Sequence, residues 1–279
     1  MEKQIIEGKD DKWLDGLKWL ANELDFHYNS KTFKRFGFSQ KKRGKYDIVY
    51  FVKNCTSDEE LRYSLRSVEE NCRYKDVWFY GGCPNGIEPD YYVKCVQKSP
   101  TKWQNVRNMM REACLNDDIT ENFWLFNDDF FVLKPMDEKI IAYYDGTITT
   151  KAEEIKAKHG GQSSEWSRNL LKLRKRLADA GKPELCYAVH APMLVNRKKM
   201  LEVLELYPNE PMVRALYGNW WEIEGKQLKD PKCSSPQNRD ISKTIASMKF
   251  LSTSDESFRA GYVGMWLRDR FPNKSRFEE

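Results

Sequence analysis

The chain has 279 residues, 40% apolar and 13% aromatic, so it carries enough large side chains to exclude a disordered polymer. Its 47 lysines and arginines against 42 aspartates and glutamates give a net charge of +5, which favours anionic ligands without requiring nucleic acid. No apolar run approaches the roughly 18 residues of a membrane span, and the charged opening Met1-Glu2-Lys3-Gln4-Ile5-Ile6-Glu7 is unlike a secretory signal, so no integral membrane segment and a cytoplasmic location are expected.

Residues 9–25 place Trp13, Leu14, Leu17, Leu20 and Leu24 on one helix face, and a basic stretch over 31–45 follows; residues 1–45 read as a helical appendage and linker. From 46 onward the pattern changes. Residues 47–52 predict a strand, Ser57 and Asp58 offer an N-cap for a helix through 70, and a second strand over 76–80 is ended by Gly81-Gly82. A third strand is predicted over 91–96, a helix over 106–115, and a buried strand over 123–126. Beyond Pro135 the chain is more helical, with a helical insertion over 136–185. This insertion contains a basic helix at 168–176 whose leucines 170, 173 and 177 are in helical register. A short apolar stretch at 186–189, a helix over 197–207, a Lys-, Pro-, Ser- and Asp-rich loop over 225–240, a strand at 248–251 and a last helix with Phe258, Tyr262, Met265 and Trp266 complete the pattern. Strands alternating with helices at this spacing predict an α/β fold: a mostly parallel central sheet with helices on both faces and its ligand site at the carboxyl ends of the strands. The seven cysteines have no CxxC pair and no zinc spacing, and are expected to be reduced thiols.

The strongest local signal is Asn127-Asp128-Asp129 at the end of the 123–126 strand. Adjacent carboxylates there call for a counter-ion, and hard cations such as Mg²⁺ or Mn²⁺ commonly bridge carboxylates to a substrate's phosphates. Asp and Asn capping a turn is the alternative. Arg62 and Arg66, four apart, share a helix face that can meet phosphates or form a surface pair. Lys102, Asn105 and Asn108 recur on the stretch entering the next helix, either as a phosphate-holding entrance or as a solvated first turn. His190 is one of three histidines and lies in an apolar setting before Pro192, as a core histidine or as a functional one. Asp255 and Glu256 follow the 248–251 strand and offer an acceptor-activating base, unless Thr253, Ser254 or Asp255 caps the last helix with Glu256 in its first turn.

Four ordered blocks carry a family resemblance over most of 46–279. Asn127-Asp128-Asp129-Phe130-Phe131 resembles the acidic strand-end motif of GT-A glycosyltransferases and of the related Stealth sugar-phosphotransferases. Glu60 to Glu69, with the sequence Glu-Leu-Arg-Tyr-Ser-Leu-Arg-Ser-Val-Glu, is similar to the Stealth segment after the first strand. His190-Ala191-Pro192 ahead of Leu201 to Pro208 resembles a later Stealth block, and Phe271-Pro272-Asn273-Lys274-Ser275-Arg276-Phe277-Glu278 a C-terminal signature of bacterial and viral sugar transferases.

The resemblance implies a GT-A-like (Rossmann-like) catalytic domain over 46–279, with a nucleotide sugar, by preference a UDP-sugar, as donor substrate and Mn²⁺ or Mg²⁺ as cofactor. It places Asn127 and Asp128 by the ribose and diphosphate and makes Asp129 a metal ligand, with His190 completing the metal site or meeting charge on the leaving phosphate. The usual DxD pattern has Asp where this chain has Asn127. Val52, Arg62, Arg66, Lys102, Asn105 and Asn108 fall in the donor-facing set, and Asp128, Asp255 and Glu256 in the catalytic one.

The expected function is metal-dependent transfer of a sugar to a glycan or other hydroxyl acceptor. A Stealth-like transfer of sugar 1-phosphate, releasing a nucleoside monophosphate, is the neighbouring alternative. Transfer onto hydroxylated bases of DNA, flipped from the duplex, is another. A non-enzymatic nucleic-acid-binding protein, using the basic helix at 168–176, is the alternative from a different class.

Overall fold

The computed structural model describes residues 44–236 and 241–279. The helix expected over 9–25 and most of the basic linker lie outside the described residues. The first half contains β1 (Asp47–Val52), α1 (Glu59–Asn71), β2 (Val77–Gly81), β3 (Tyr91–Lys94), α2 (Lys102–Leu115) and β4 (Asn122–Asn127). Next come β5 (Phe130–Val132), β6 (Tyr143–Tyr144), α3 (Ile148–Lys158), α4 (Glu165–Asp179), β7 (Met193–Asn196), α5 (Arg197–Leu206) and α6 (Val213–Trp220). The last elements are β8 (Lys226–Gln227), β9 (Lys232–Cys233), α7 (Ser242–Ser247), β10 (Phe250–Thr253), α8 (Asp255–Ala260) and α9 (Tyr262–Arg270).

The fold is α/β. Its main sheet has the order β3-β2-β1-β4-β7, with the first four strands parallel and β7 antiparallel at the edge. Every residue of β1 is buried, as expected of a parallel strand covered on both faces. Side chains alternate along it, so Val49 and Phe51 join the core under α2, α4, α5 and α6, while Ile48, Tyr50 and Val52 join the core under α1. Buried Asp47 opens the strand because its carboxylate accepts the backbone N–H groups of Thr120 (2.8 Å) and Asp76 (3.1 Å), tying two loops at the amino end. Asp58 caps α1, accepting from Leu61 N–H at 2.9 Å. Gly81 ends β2 at φ +113°, a backbone region that side-chain-bearing residues avoid.

Several elements depart from the sequence pattern. α2 starts at Lys102, four residues before the apolar stripe that marks it, and β10 runs two residues past the predicted strand. The final helix is two helices, broken at Gly261. The segment 225–240 holds the two short strands β8 and β9 rather than loop alone. A second sheet, β5-β10-β9, pairs β10 antiparallel with β5 and parallel with β9. The stretch 186–189 is not a strand, although Cys186, Tyr187 and Val189 are buried. All seven cysteines are free thiols, and among the described residues no helix is long and apolar enough to cross a membrane.

The C-terminal segment is latched back onto α1. The Glu278 carboxylate, almost wholly buried, accepts from Arg66 Nε (2.8 Å) and Nη2 (2.7 Å) and from Ser275 N–H (2.9 Å) and Oγ (3.0 Å). Arg62 donates to the carbonyls of Gly86 (3.0 Å) and Asn85 (2.5 Å) beside it. Burial alone would raise the Glu278 pKa, but the hydrogen bonds from Arg66 and Ser275 outweigh it and hold the carboxyl below its ordinary value. A depressed pKa contributes stability above the ordinary carboxylate range and loses it as pH falls through the folded value. Glu278→Ala is therefore expected to cost about 1.5 to 3 kcal/mol at neutral pH, because Arg66 loses its carboxylate and keeps only the carbonyls of Phe271 and Pro272. Thermal melts should also show a smaller drop for the variant than for the parent between about pH 6 and pH 3. Equal acid sensitivity of the two proteins would remove this ion pair from the acid response.

Candidate active site at the carboxyl ends of the central strands

The chain leaves β1 toward β2 on one side and reaches β4 on the other, so the crevice between the carboxyl ends of β1 and β4 is a topological switch point, the place where open α/β sheets bind ligands. Phe51 pairs with Asn127 in the ladder, and the loops beginning at Lys53 and Asp128 leave the sheet side by side there.

Five carboxylates gather around this end. Asp128 is pushed up to about 7 by burial first, then by the charges of Asp129 and Asp58, against the backbone amides that hold it. Glu60 is pushed up to about 8 by burial, which outweighs the hydroxyl that Thr253 donates to it, and Asp255 and Asp129 add to the rise. Asp58 is raised mainly by burial, with Asp255 and Asp129 contributing. Asp255 opens α8 next to this cluster. Ser254 caps that helix through Ser257, and Glu256 is exposed in its first turn.

Asp129 has direct protein partners. Its Oδ2 accepts from Lys232 Nζ at 2.5 Å and Ser252 Oγ at 2.8 Å, and the Lys232 ammonium also donates to the Thr253 carbonyl. His190 meets Asp230, with Nδ1 at 3.0 Å from each carboxylate oxygen and the His190 backbone N–H donating at 3.0 Å. Burial raises the Asp230 pKa, but His190 more than offsets this and holds it below its ordinary value. Facing a carboxylate, Nδ1 serves as the donor to Asp230, and Nε2 is not engaged by that carboxylate. The donor set of Asp129 and His190 therefore does not fit a metal: the carboxylate is bound by an ammonium and a hydroxyl, and the imidazole by Asp230. Among the described residues no group of three or more His, Cys, Asp or Glu has ligating geometry.

A pocket of about 800 Å³ opens beside the strand ends, lined by Phe51, Leu125 and Asn127 from the sheet and by the amino-terminal turns of α2, α4 and α6. Two of these turns are uncapped. Neither Thr101 before α2 nor Met212 before α6 makes a side-chain cap, whereas Ser164 caps α4. Uncapped amino termini leave backbone N–H groups and positive dipole charge for a ligand. Lys102, Arg107 and Arg214 line the same pocket, and none of the three has a salt-bridge partner among the described residues. Arg107 Nη1 and Arg214 Nε are buried without a hydrogen-bond acceptor. Burial lowers the pKa of both arginines, that of Arg214 to about 10, against the pull of Asp230 and Asp129. Trp103 and Trp166 supply flat apolar walls. A smaller cavity of about 220 Å³ shares Trp103, Glu165, Asn169 and Pro211 with it and adds Lys172, Arg176, Asn209 and Glu210.

Of the residues singled out from sequence, the structure brings Lys102 and Asn127 to the pocket and Asp128, Asp129 and Asp255 to the adjoining carboxylates. Val52 is buried at the end of β1, its carbonyl accepting from Gly82 N–H (2.9 Å) and Gln97 Nε2 (2.7 Å). Arg62 and Arg66 belong to the C-terminal latch. The Asn105 amide closes onto the Ser99 backbone, donating at 3.2 Å and accepting at 3.1 Å, and Asn108 is exposed. On α4, Arg174 pairs with Glu184 and Arg176 with Glu210, so part of its basic face is already neutralised. Arg107, Arg214, Asp230 and Lys232 carried no motif. An arginine between apolar positions was the one local sign, and it does not separate a pocket from a surface.

No protein-family model matches the chain, and no curated protein matches it. Among solved structures the chain is similar to a glycosyltransferase involved in the glycosylation of the major capsid of PBCV-1, at 14% identity and a TM-score of 0.36, over 81% of this chain and 97% of that one. The functional reading therefore rests on the residues of the site itself.

Proposed function

We propose that this chain is a glycosyltransferase that moves a sugar from a nucleotide sugar, by preference a UDP-sugar, to a hydroxyl of a carbohydrate acceptor. The observation that carries the reading is the set of two arginines without carboxylate partners and two uncapped helix amino termini in one pocket at the switch point. Arg107 donates to the Leu204 carbonyl and Arg214 to the Ala191 carbonyl, but neither guanidinium has a salt bridge among the described residues; burying them so is costly unless a ligand supplies the direct counter-charge, and a diphosphate does so. Trp103 or Trp166 stacks on the nucleobase, and Asn127 at the strand end faces the ribose.

In this reading the acceptor hydroxyl reaches the pocket from the side of His190, which lines neither cavity but stands edge-on to the Phe130 ring that Arg214 of the pocket overlies. His190, oriented by Asp230, takes the proton of the attacking hydroxyl on Nε2. As the bond between the sugar and the diphosphate breaks, Arg214 and Arg107 meet the charge that develops on the leaving phosphate.

The test is a panel of nucleotide sugars offered with mono- and oligosaccharide acceptors, reading the nucleotide released. A nucleoside diphosphate is expected. Release of a monophosphate would move the chain to sugar-phosphate transfer. Absence of turnover, together with salt-sensitive binding to duplex DNA, would reject the transferase reading.

A further inference from the structure

The carboxylate that a strand-end motif would offer to a metal is held here by a lysine built into the second sheet. Lys232 lies on β9 opposite Ser252 of β10, and Ser252 lies opposite Phe130 of β5, the residue that follows Asp129. Ammonium, hydroxyl and carboxylate thus sit on adjacent strands in fixed register, and the two charged side chains are only 22% and 16% exposed. The Thr253 carbonyl takes a second ammonium hydrogen, so Lys232 is held from two directions. His190, the other expected ligand, is turned onto Asp230. The positive charge in the pocket is that of Arg107, Arg214, Lys102 and the amino termini of α2 and α6.

We propose that the donor diphosphate is bound without a divalent metal, with Lys232 occupying the position on Asp129 that a metal would take and Arg107 and Arg214 carrying the phosphate charge. The proposal rests on the pocket being the donor site. It makes Lys232 a positioning residue that keeps Asp129 neutralised beside the phosphates. A lysine point charge can do this for one carboxylate at fixed distance, whereas Mg²⁺ or Mn²⁺ demands several oxygen ligands in a near-octahedral arrangement.

The experiment uses the purified full chain and calorimetric titration with UDP, GDP, CDP and ADP, each in EDTA and in Mn²⁺, alongside the electron paramagnetic resonance signal of free Mn²⁺ with protein added. For the nucleotide that binds, affinities in the two buffers are expected to agree within about threefold, and the free Mn²⁺ signal should be undiminished at roughly 100 µM, since an affinity weaker than this is too low to define a resident site. K232M should acquire a Mn²⁺ site and a nucleotide affinity that rises about tenfold or more with Mn²⁺, while K232R keeps the parent's metal independence. Thermal melts of K232M establish that it is folded; should it not be, the parent and K232R measurements still decide. Nucleotide binding by the parent only in Mn²⁺ would overturn this proposal and leave the donor site standing. Failure of all four nucleotides in both buffers would overturn the donor site, and the proposal with it.

Discussion

Exchanging Arg214 for methionine is expected to weaken nucleoside diphosphate binding by roughly ten- to a hundredfold, the effect of losing a charge-assisted contact of about 1.5 to 3 kcal/mol, while leaving the protein at least as stable as its parent. The two halves of this result have one cause. Arg214 lines the pocket with no salt bridge and a buried Nε without an acceptor, and burial pulls its pKa down to about 10. Its Nη2 donates to the Ala191 carbonyl, but the guanidinium is otherwise buried without a salt bridge, and an unbranched apolar side chain of similar length removes that desolvation cost while still covering the Phe130 ring that the guanidinium now overlies at 5.7 Å. Titration calorimetry with UDP and a thermal melt of the same preparation provide both readouts. A large loss of stability with unchanged affinity would make Arg214 a structural cation instead. Lys102, exposed at the same entrance, is expected to contribute less, and its share should fade with added salt.

The second large effect concerns His190. His190→Ala is expected to lower kcat by about a hundred- to ten-thousandfold, the range for losing a general base, with nucleotide affinity unchanged because the ring is not among the pocket-lining groups. Asp230→Ala should give a smaller loss, since Asp230 acts by holding Nδ1 and the His190 backbone N–H, both at 3.0 Å. A variant that keeps its rate would transfer the base role to another group, with Asp128, whose pKa is pushed up to about 7, the next to test.

Much of the frame was readable from the chain alone because its causes are local. The continuous apolar run of β1, the Asp58 cap, the helix that follows it, and β4 running into Asn127 all stand where periodicity and capping chemistry put them. The sequence pattern starts α2 late because Lys102-Trp103-Gln104-Asn105 has no apolar stripe, and its first turn belongs to the pocket rather than to the core. The fusion of α8 and α9 into one predicted helix followed an apolar pattern that continues across Gly261.

The parallel sheet and the arrival of acidic residues at its carboxyl end therefore follow from local pattern. Which partners those residues meet follows from the packing of distant segments. Asp129 and Lys232 are 103 positions apart, and His190 and Asp230 are 40 apart. No helical or strand period connects such pairs, because their proximity comes from the pairing of β9, β10 and β5 and from the packing of distant loops. The same holds for Arg107 and Arg214, which reach one pocket from different helices. A side chain's type fixes what charge it can carry, but its partner is chosen by which segments the fold brings within a few ångströms, and at that range burial and Coulomb interactions decide what the charge does.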